Sequence, residues 1–439
     1  MGFEVADNID ILGQKQPRSA SFPEPEYLFR AAWAVIAAAG LVLSILLILR
    51  AGHGGDDSWL PMARALDFLR QSTSDHVYQA LFFGEKIKFQ YPPSSLLIID
   101  LLSHVGITTP AQYNTVNAVV LIVSALVFAR FASQVLGHVS LFGVRIPIAP
   151  IAFLIALRYF PNQLAFELGQ IQIWIGLFFI LSCLLLWQGR QFVSGLLIGA
   201  SAVIKPQFCL FGVLALWRRN WRFFAACAFV VVAAVLLSTW LYGWRAQFDY
   251  LSVLSFLSRH GEYHHLNQSI GGVLVRLFYD GPPLDRDAAG APIAAYVASF
   301  PPYLPVVYVV TTATSLVMIV AAFLLRGTGD ERTARVQEFT LAAMLFTMAS
   351  PIAWVHHYNV LLPAYVIALK GALDRQAQGR FLLVAVLLAI SYGLTGFRLA
   401  PPYAPTVSGF SLVQSHVLIG TWILLGVLIA QSRFQSKVP

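Results

Sequence analysis

Residues 31–49 read AAWAVIAAAGLVLSILLIL, without a single charge. Wound as a helix at 1.5 Å per residue, this stretch is roughly 28 Å long, close to the ~30 Å hydrocarbon core of a bilayer. A second uncharged block, FFAACAFVVVAAVLLSTWLYG, runs from Phe223 to Gly243. The same character holds across the chain. Of 439 residues, 58% are hydrophobic and 11% charged, where an ordinary soluble domain carries about 25% charged residues. Mean hydropathy is +0.69. So little charge cannot cover a water-exposed globule, and helices are the elements that satisfy their own backbone in lipid. The expected fold class is an all-α polytopic membrane protein.

Residues 1–28 are polar and mixed in charge, with Asp7, Asp10, Lys15, Arg18, Glu24 and Glu26. They lack the short basic head and small-residue cleavage site of a secretory signal, so the first apolar block is expected to remain as an anchor. The net charge of +8 fits a membrane protein whose Lys and Arg gather in cytoplasmic loops and near anionic lipid headgroups. Membrane lipids, and no nucleic acid, are the partners it implies. Cys183, Cys209 and Cys227 lie in apolar stretches without metal-ligand spacing and read as small core residues.

Apolar periodicity places candidate spans at 29–50, 92–106, 111–137, 146–160, 169–187, 191–204, 206–217, 221–243, 304–325, 337–350, 358–369, 381–395 and 411–430. Several are too short to cross alone, as is tolerated where a helix lines a protein-enclosed cavity. The short basic links 217–222, 326–335 and 370–380 and the tail 433–437 are expected on the cytoplasmic side. One transmembrane domain, 29–430, then lies between a cytoplasmic segment, 1–28, and a cytoplasmic tail, 431–439. Two long loops, about 51–91 and 244–303, face outward. Loops this long inside a compact protein are usually functional. Eight candidate spans precede the second loop, whereas a cytoplasmic N-terminus requires an odd number of crossings. Either 92–106 or the pair around Lys205 must therefore be re-entrant or broken.

Within this frame a few polar residues stand out. The first outer loop opens Gly54-Gly55-Asp56-Asp57-Ser58-Trp59, ahead of an amphipathic stretch from Pro61 to Leu69. An acid pair there is either a solvated helix N-terminus, where carboxylates favour the dipole, or a general base at the mouth of a cavity. The loop ends Tyr91-Pro92-Pro93, which by itself says that a helix begins. Lys205, in Ile204-Lys205-Pro206-Gln207, is the only charge between Arg190 and Arg218. A lysine at that depth either snorkels to the interface or binds an anion such as phosphate. Ser350-Pro351-Ile352-Ala353-Trp354-Val355-His356-His357-Tyr358 places two histidines where one span gives way to the next. Adjacent positions point to different faces, which disfavours chelation by both. Trp354 suits an interfacial belt or a sugar-stacking pocket. Two more polar islands are Asn162-Gln163 leading to Glu167 and Gly169-Gln170-Ile171-Gln172, and His264-His265-Leu266-Asn267-Gln268-Ser269 leading to Arg276. Arg276 reads as a structural ion-pair partner or a phosphate ligand.

Taken in order, these pieces resemble glycosyltransferase family 87, polytopic enzymes of the GT-C type that include polyprenyl-phosphate-mannose-dependent mannosyltransferases. The resemblance rests on Asp56 or Asp57, Tyr91-Pro92-Pro93, Gly169-Gln170, Lys205-Pro206, Asn267-Gln268-Ser269 with Arg276, and Ser350-Pro351 followed by Trp354, His356 and His357. The family pattern usually sets an aromatic about four residues after the first-loop acid, where this chain has Leu60 or Pro61, and often reads Gly-Gln-x-Asn, where this chain has Gly-Gln-Ile-Gln.

The resemblance implies a GT-C helix bundle in the plasma (inner) membrane, with its active site on the outer, periplasmic face. A polyprenyl-phosphate sugar, mannose foremost, would be the donor and a lipid or glycan the acceptor. The reaction would be one inverting displacement. Asp57 or Asp56 would be the base, and Lys205, Arg276 and one of His356 and His357 would stabilise the departing phosphate. Tyr91, Gln170, Asn267 and Trp354 would complete the substrate site. Nothing in the sequence calls for a cofactor. The competing readings are a flippase of a lipid-linked precursor, whose mark would be paired repeats with broken helices, and a ligase moving a whole glycan from a lipid diphosphate.

Overall fold

The computed structural model describes residues 9–10, 26–71, 76–141, 144–279, 300–374, 381–399 and 410–435. The basic positions 375–380, most of segment 1–28, part of the tail and residues 280–299 of the second long loop lie outside that description. The chain is an all-α polytopic membrane protein. In order, the helices are α1 Glu26–Arg50, α2 Trp59–Gln71, α3 Leu96–His104, α4 Pro110–Leu136, α5 Ile148–Arg158, α6 Phe160–Glu167, α7 Gln172–Trp187, α8 Gln191–Ile204 and α9 Cys209–Trp217. There follow α10 Trp221–Tyr242, α11 Trp244–His260, α12 Ile270–Phe278, α13 Pro305–Leu324, α14 Glu331–Ala349, α15 Leu361–Leu373, α16 Phe381–Gly396, α17 Phe410–Gln414 and α18 His416–Gln435.

Among the described residues, α1, α4, α10 and α13 are long and apolar enough to cross a bilayer alone, and α5 with α6, bent by 48°, adds one broken span. The bend falls at Tyr159, which is extended, just before Phe160-Pro161 restart the helix. Of the shorter apolar helices α7, α8, α9, α16 and α18, α7 is mostly buried, whereas α16 leaves Leu382, Leu383, Val386 and Ile390 exposed. Phe179 of α7, Phe211 of α9 and Phe339 of α14 make a buried aromatic cluster, with centroid separations of 4.7–6.2 Å. Gly195 and Gly199 bring α8 against α10: a Cβ on either would lie under 3 Å from Phe223 O or Cys227 O. Small residues four apart permit such close approach. Their partners also rise in step, so α8 and α10 run parallel.

α10 shows where the lipid lies. Phe229, Val232 and Leu236 are exposed along its middle, and exposed tryptophans, Trp217 and Trp221 at one end and Trp240 and Trp244 at the other, bracket them. Tryptophan at both ends of an apolar face marks two membrane–water interfaces.

The helix ends resolve the parity problem. Asn114 of α4 donates to Gly55 O just beyond α1 at 2.9 Å, and Lys205 at the end of α8 donates to Gln172 at the start of α7 at 2.8 Å. These ends share one side of the bundle. α3 stays there: Ser94 just before it donates to Val203 O of α8 at 2.8 Å, and Asp100 within it accepts from Tyr242 at the end of α10 at 2.8 Å. The 92–106 segment is thus the non-crossing one. α1, α4, α5–α6, α7, α8, α9 and α10 remain, an odd number among the described residues. At the other end Ile9–Asp10 pairs in parallel with Val139–Leu141, which pairs antiparallel with Val144–Arg145. That small sheet ties residues near the N-terminus to the α4–α5 link.

Both long loops carry helices. The amphipathic α2 lies over α3 and α4 with Trp59, Met62, Ala65 and Leu66 buried, and residues Gln79–Gly84 form a turn of π-helix. The second loop holds α11 and α12.

Candidate active site

The site is built around the turn between α6 and α7. Gly169 has φ +64° and no space for a side chain, since a Cβ there would lie 2.0 Å from Gly55 O. This close crossing is sealed by Gly55 N donating to Glu167 O at 2.8 Å and Asp57 N donating to Leu168 O at 3.2 Å. The first long loop is thereby laid against the start of α7, with Asp57 facing Gln170.

Gln170 is held in one orientation. Its Oε1 accepts from Ser58 Oγ at 3.0 Å and from Tyr91 OH at 3.3 Å, and Ser58 Oγ itself accepts from Ile171 N at 3.0 Å. With the carbonyl end engaged by hydroxyl donors, the amide end must face the acid, and Gln170 Nε2 donates to Asp57 Oδ2 at 3.3 Å. Burial pushes the Asp57 carboxyl up; the Gln170 hydrogen bond lowers it, the neighbouring Asp56 raises it and Lys88 lowers it, leaving it at about 6. That is a carboxylate poised close to neutral pH, as a general base requires. Asp56 is half-buried beside it; its backbone oxygen accepts from Leu60 N, starting α2.

A second cluster lies two residues further along α7. Lys205, at the break between α8 and α9, donates to Gln172 Oε1 at 2.8 Å and to His357 Nε2. Gln172 is in turn clasped by Asn359, each amide donating to the other residue at 3.3 Å. An ammonium can only donate, so His357 Nε2 accepts and its ring proton sits on Nδ1. Among the described residues that Nδ1 is buried and has no partner, as is Nδ1 of His356. Among the described residues the groups that bind the lysine are neutral, so no carboxylate compensates it there. His356 lies over Trp354, with centroids 6.4 Å apart and rings within 14° of parallel. The adjacent histidines thus serve different neighbours.

Asn267 and Arg276 are placed differently. Asn267 forms a bridge with Trp354, accepts from Ala353 N at 3.0 Å and donates to Glu262 O at 2.9 Å. Arg276 donates to His264 O at 3.1 Å, to Asn267 O at 2.9 Å and to Ser415 Oγ at 2.8 Å. The two residues lock the 262–269 turn against the segment that carries Trp354. Asp57, Tyr91 and Gln170 therefore form one group, Lys205 and His357 a second, and Asn267 and Arg276 a bracket beneath Trp354.

Sequence reasoning passed over Lys88, Gln172 as a lysine ligand, and Asn359. Lys88 pairs with Glu262, with side chains 15% and 2% exposed, and lies 5.7 Å from the Trp354 ring centroid. Its signal was weak: a lysine in a polar loop has the composition of any solvated one. Among the described residues no group of three or more His, Cys, Asp or Glu is placed to hold a metal ion.

A membrane-embedded bundle thus carries, at one end, a buried carboxylate and a lysine held by neutral groups, joined by the Gly169-Gln170-Ile171-Gln172 segment. Residues 89–351 match the model of glycosyltransferase family 87. The chain belongs to that family. Among curated proteins it is 25% identical over 240 residues to a polyprenol-phosphate-mannose-dependent alpha-(1-2)-phosphatidylinositol pentamannoside mannosyltransferase of Mycolicibacterium smegmatis, covering 54% of this chain and 52% of that protein. It is 23% identical over 295 residues to the like-named protein of Mycobacterium tuberculosis, covering 65% of this chain and 61% of that one. The matches span about half to three-fifths of those relatives' length.

Proposed function

We propose that this protein transfers a hexose, mannose foremost, from a polyprenyl-phosphate sugar to a lipid or glycan acceptor, at the outer face of the plasma membrane and with inversion. One observation carries the reading. In Gly169-Gln170-Ile171-Gln172 the first glutamine holds Asp57 and the second holds Lys205, so one turn of chain joins a proton acceptor to an anion-binding cation.

The chemistry follows from that pairing. An acceptor hydroxyl gives its proton to Asp57 as its oxygen bonds to the anomeric carbon. On the opposite face the bond from that carbon to the phosphate oxygen breaks, and polyprenyl phosphate leaves with the electron pair. A phosphate leaving group needs cationic and N–H stabilisation rather than a strong acid. Lys205 supplies the charge, and His357 Nδ1–H is an unspent donor beside it. Trp354 offers a face against which a sugar ring can stack. The donor names of the two relatives favour mannose over other hexoses.

The test is to reconstitute the purified protein in nanodiscs with labelled polyprenyl-phosphate mannose or polyprenyl-phosphate glucose and a panel of lipid acceptors. A mannosylated product of inverted anomeric configuration is expected. Translocation of the lipid without a new glycosidic bond would identify a flippase instead, and transfer only from a lipid diphosphate would identify a ligase.

A further inference from the structure

α11 leaves the end of α10 through Gly243, whose φ of +86° stops one helix and starts the next. Two opposite faces of α11 are apolar. On one, Ala246, Tyr250, Val253 and Leu257, spaced four, three and four apart, are buried. Protein covers that face: the Tyr250 ring lies 5.5 Å from Tyr78, and Phe256 packs edge-on against Phe83 and Phe300 at 5.6 and 5.2 Å. His76 Nδ1 donates to Asp249 Oδ2, the helix's only acid, at 2.7 Å. The helix therefore rests along the first long loop, at the end of the bundle that holds the candidate site.

The opposite face has no such cover among the described residues. Trp244, Phe248 and Leu251 follow one another at helical spacing and are 59%, 64% and 57% exposed, with exposed Leu254 beside them. A helix that met water on this side would carry polar side chains there. A contiguous exposed apolar face marks a membrane or a protein contact. Two observations choose the membrane. The stripe runs on from Trp240 and Leu241, which are exposed at the end of the lipid-facing side of α10. Its ends are basic and exposed, Arg245 at one and Arg259 at the other, an arrangement that suits lipid phosphates. A second copy fits the same stripe poorly. About a two-fold axis, an antiparallel pairing sets Arg245 against Arg259 and a parallel one sets each arginine against itself, so like charges meet either way.

We propose that α11 is an in-plane membrane anchor. Its Trp244, Phe248 and Leu251 lie in the phospholipid leaflet on the site's side, about 5–10 Å into the boundary of headgroups and acyl chains, with Arg245 and Arg259 at the level of the phosphates. The anchor depends neither on which residue acts as base nor on the donor. The buried face of α11 holds Tyr78, which donates to Tyr91 O at 2.6 Å, so the anchor ties the first long loop to the membrane surface.

The test uses the full chain with Cys183, Cys209 and Cys227 replaced and one nitroxide-labelled cysteine, from Phe248→Cys, Leu251→Cys or Lys86→Cys, in nanodiscs of phosphatidylcholine and phosphatidylglycerol. Electron paramagnetic resonance then reads collision with oxygen, which concentrates in lipid, and with a nickel chelate, which stays in water. Oxygen accessibility should exceed that of the chelate in Phe248→Cys and Leu251→Cys, and the order should reverse at the exposed Lys86→Cys. Chelate exceeding oxygen in either α11 variant would mean a face in water. Low accessibility to both would mean a face covered by protein, a second copy included. Either result overturns the proposal. Both positions report on the same face, so one decides alone if the other variant does not fold.

Discussion

Asp57 combines two demands that a solvated carboxylate does not meet. As the proposed base it must be ionised at neutral pH and still want a proton, and burial offset by the Gln170 hydrogen bond and Lys88 holds it at about 6. Transfer should therefore fall as the pH drops through about 6, where the base becomes protonated. Asp57→Asn keeps the shape but cannot accept the proton; it should fold and bind donor yet lose at least ~100-fold in transfer, with Asp56→Asn milder. Substantial transfer by both variants would move the base out of this loop. At the other end of the Gly-Gln-Ile-Gln turn, Lys205→Ala should weaken donor affinity or turnover by roughly tenfold or more, the scale of a charge-assisted hydrogen bond. Unchanged donor kinetics would leave Lys205 as a structural lysine. Asp57, Gln170 and Lys205, which the structure places on one short segment of the proposed site, stood out in the sequence because each interrupts or borders apolar sequence, where a polar group needs a reason. Arg276 read in the sequence as an ion-pair partner or a phosphate ligand; it donates to two carbonyls and a hydroxyl, and its Nε is buried without a partner among the described residues.

Among the elements, the α6–α7 turn does most to assemble the site. Its Gly169 occupies the left-handed region at φ +64°, with Gly55 O where a Cβ would be. Gly169→Ala must relieve both the conformation and the clash, which should cost more than about 2 kcal/mol. A lower melting temperature of the purified protein, together with lost transfer, is the expected reading; an unchanged melting curve would show that the crossing is not needed for the fold. Long apolar helices such as α1, α4, α10 and α13 were plain in the sequence because lipid demands an unbroken run. Of the helices inside the two long loops, α2 was foreshadowed by the amphipathic stretch from Pro61 to Leu69, whereas α11, whose buried stripe of Ala246, Tyr250, Val253 and Leu257 is set among polar residues, and the π-helical turn at Gln79–Gly84 were passed over. The non-crossing 92–106 segment was narrowed to two candidates by charge parity, and only the contacts of Ser94 and Asp100 chose between them.

For the whole molecule, sidedness rests on the basic links, which collect at the end opposite the site: Arg218 at the end of α9 pairs with Glu338, and Arg335 donates to Leu186 O at 3.2 Å. In a background with Cys183, Cys209 and Cys227 replaced, Lys86→Cys should react with an impermeant reagent added outside cells and Glu331→Cys should not. The reverse pattern would place the site in the cytoplasm. The tryptophans that bracket α10 carry a further consequence. They fix a hydrophobic length, and a bilayer with longer or shorter acyl chains creates a mismatch that a helix relieves by tilting. Tyr242 at the end of α10 is tied to Asp100 of α3, and α3 follows directly on the Tyr91-Pro92-Pro93 corner that holds Gln170. If Asp57 is the base, turnover measured in nanodiscs of differing acyl-chain length is expected to vary with bilayer thickness, and constant turnover across them would show that the chain of contacts does not carry the mismatch.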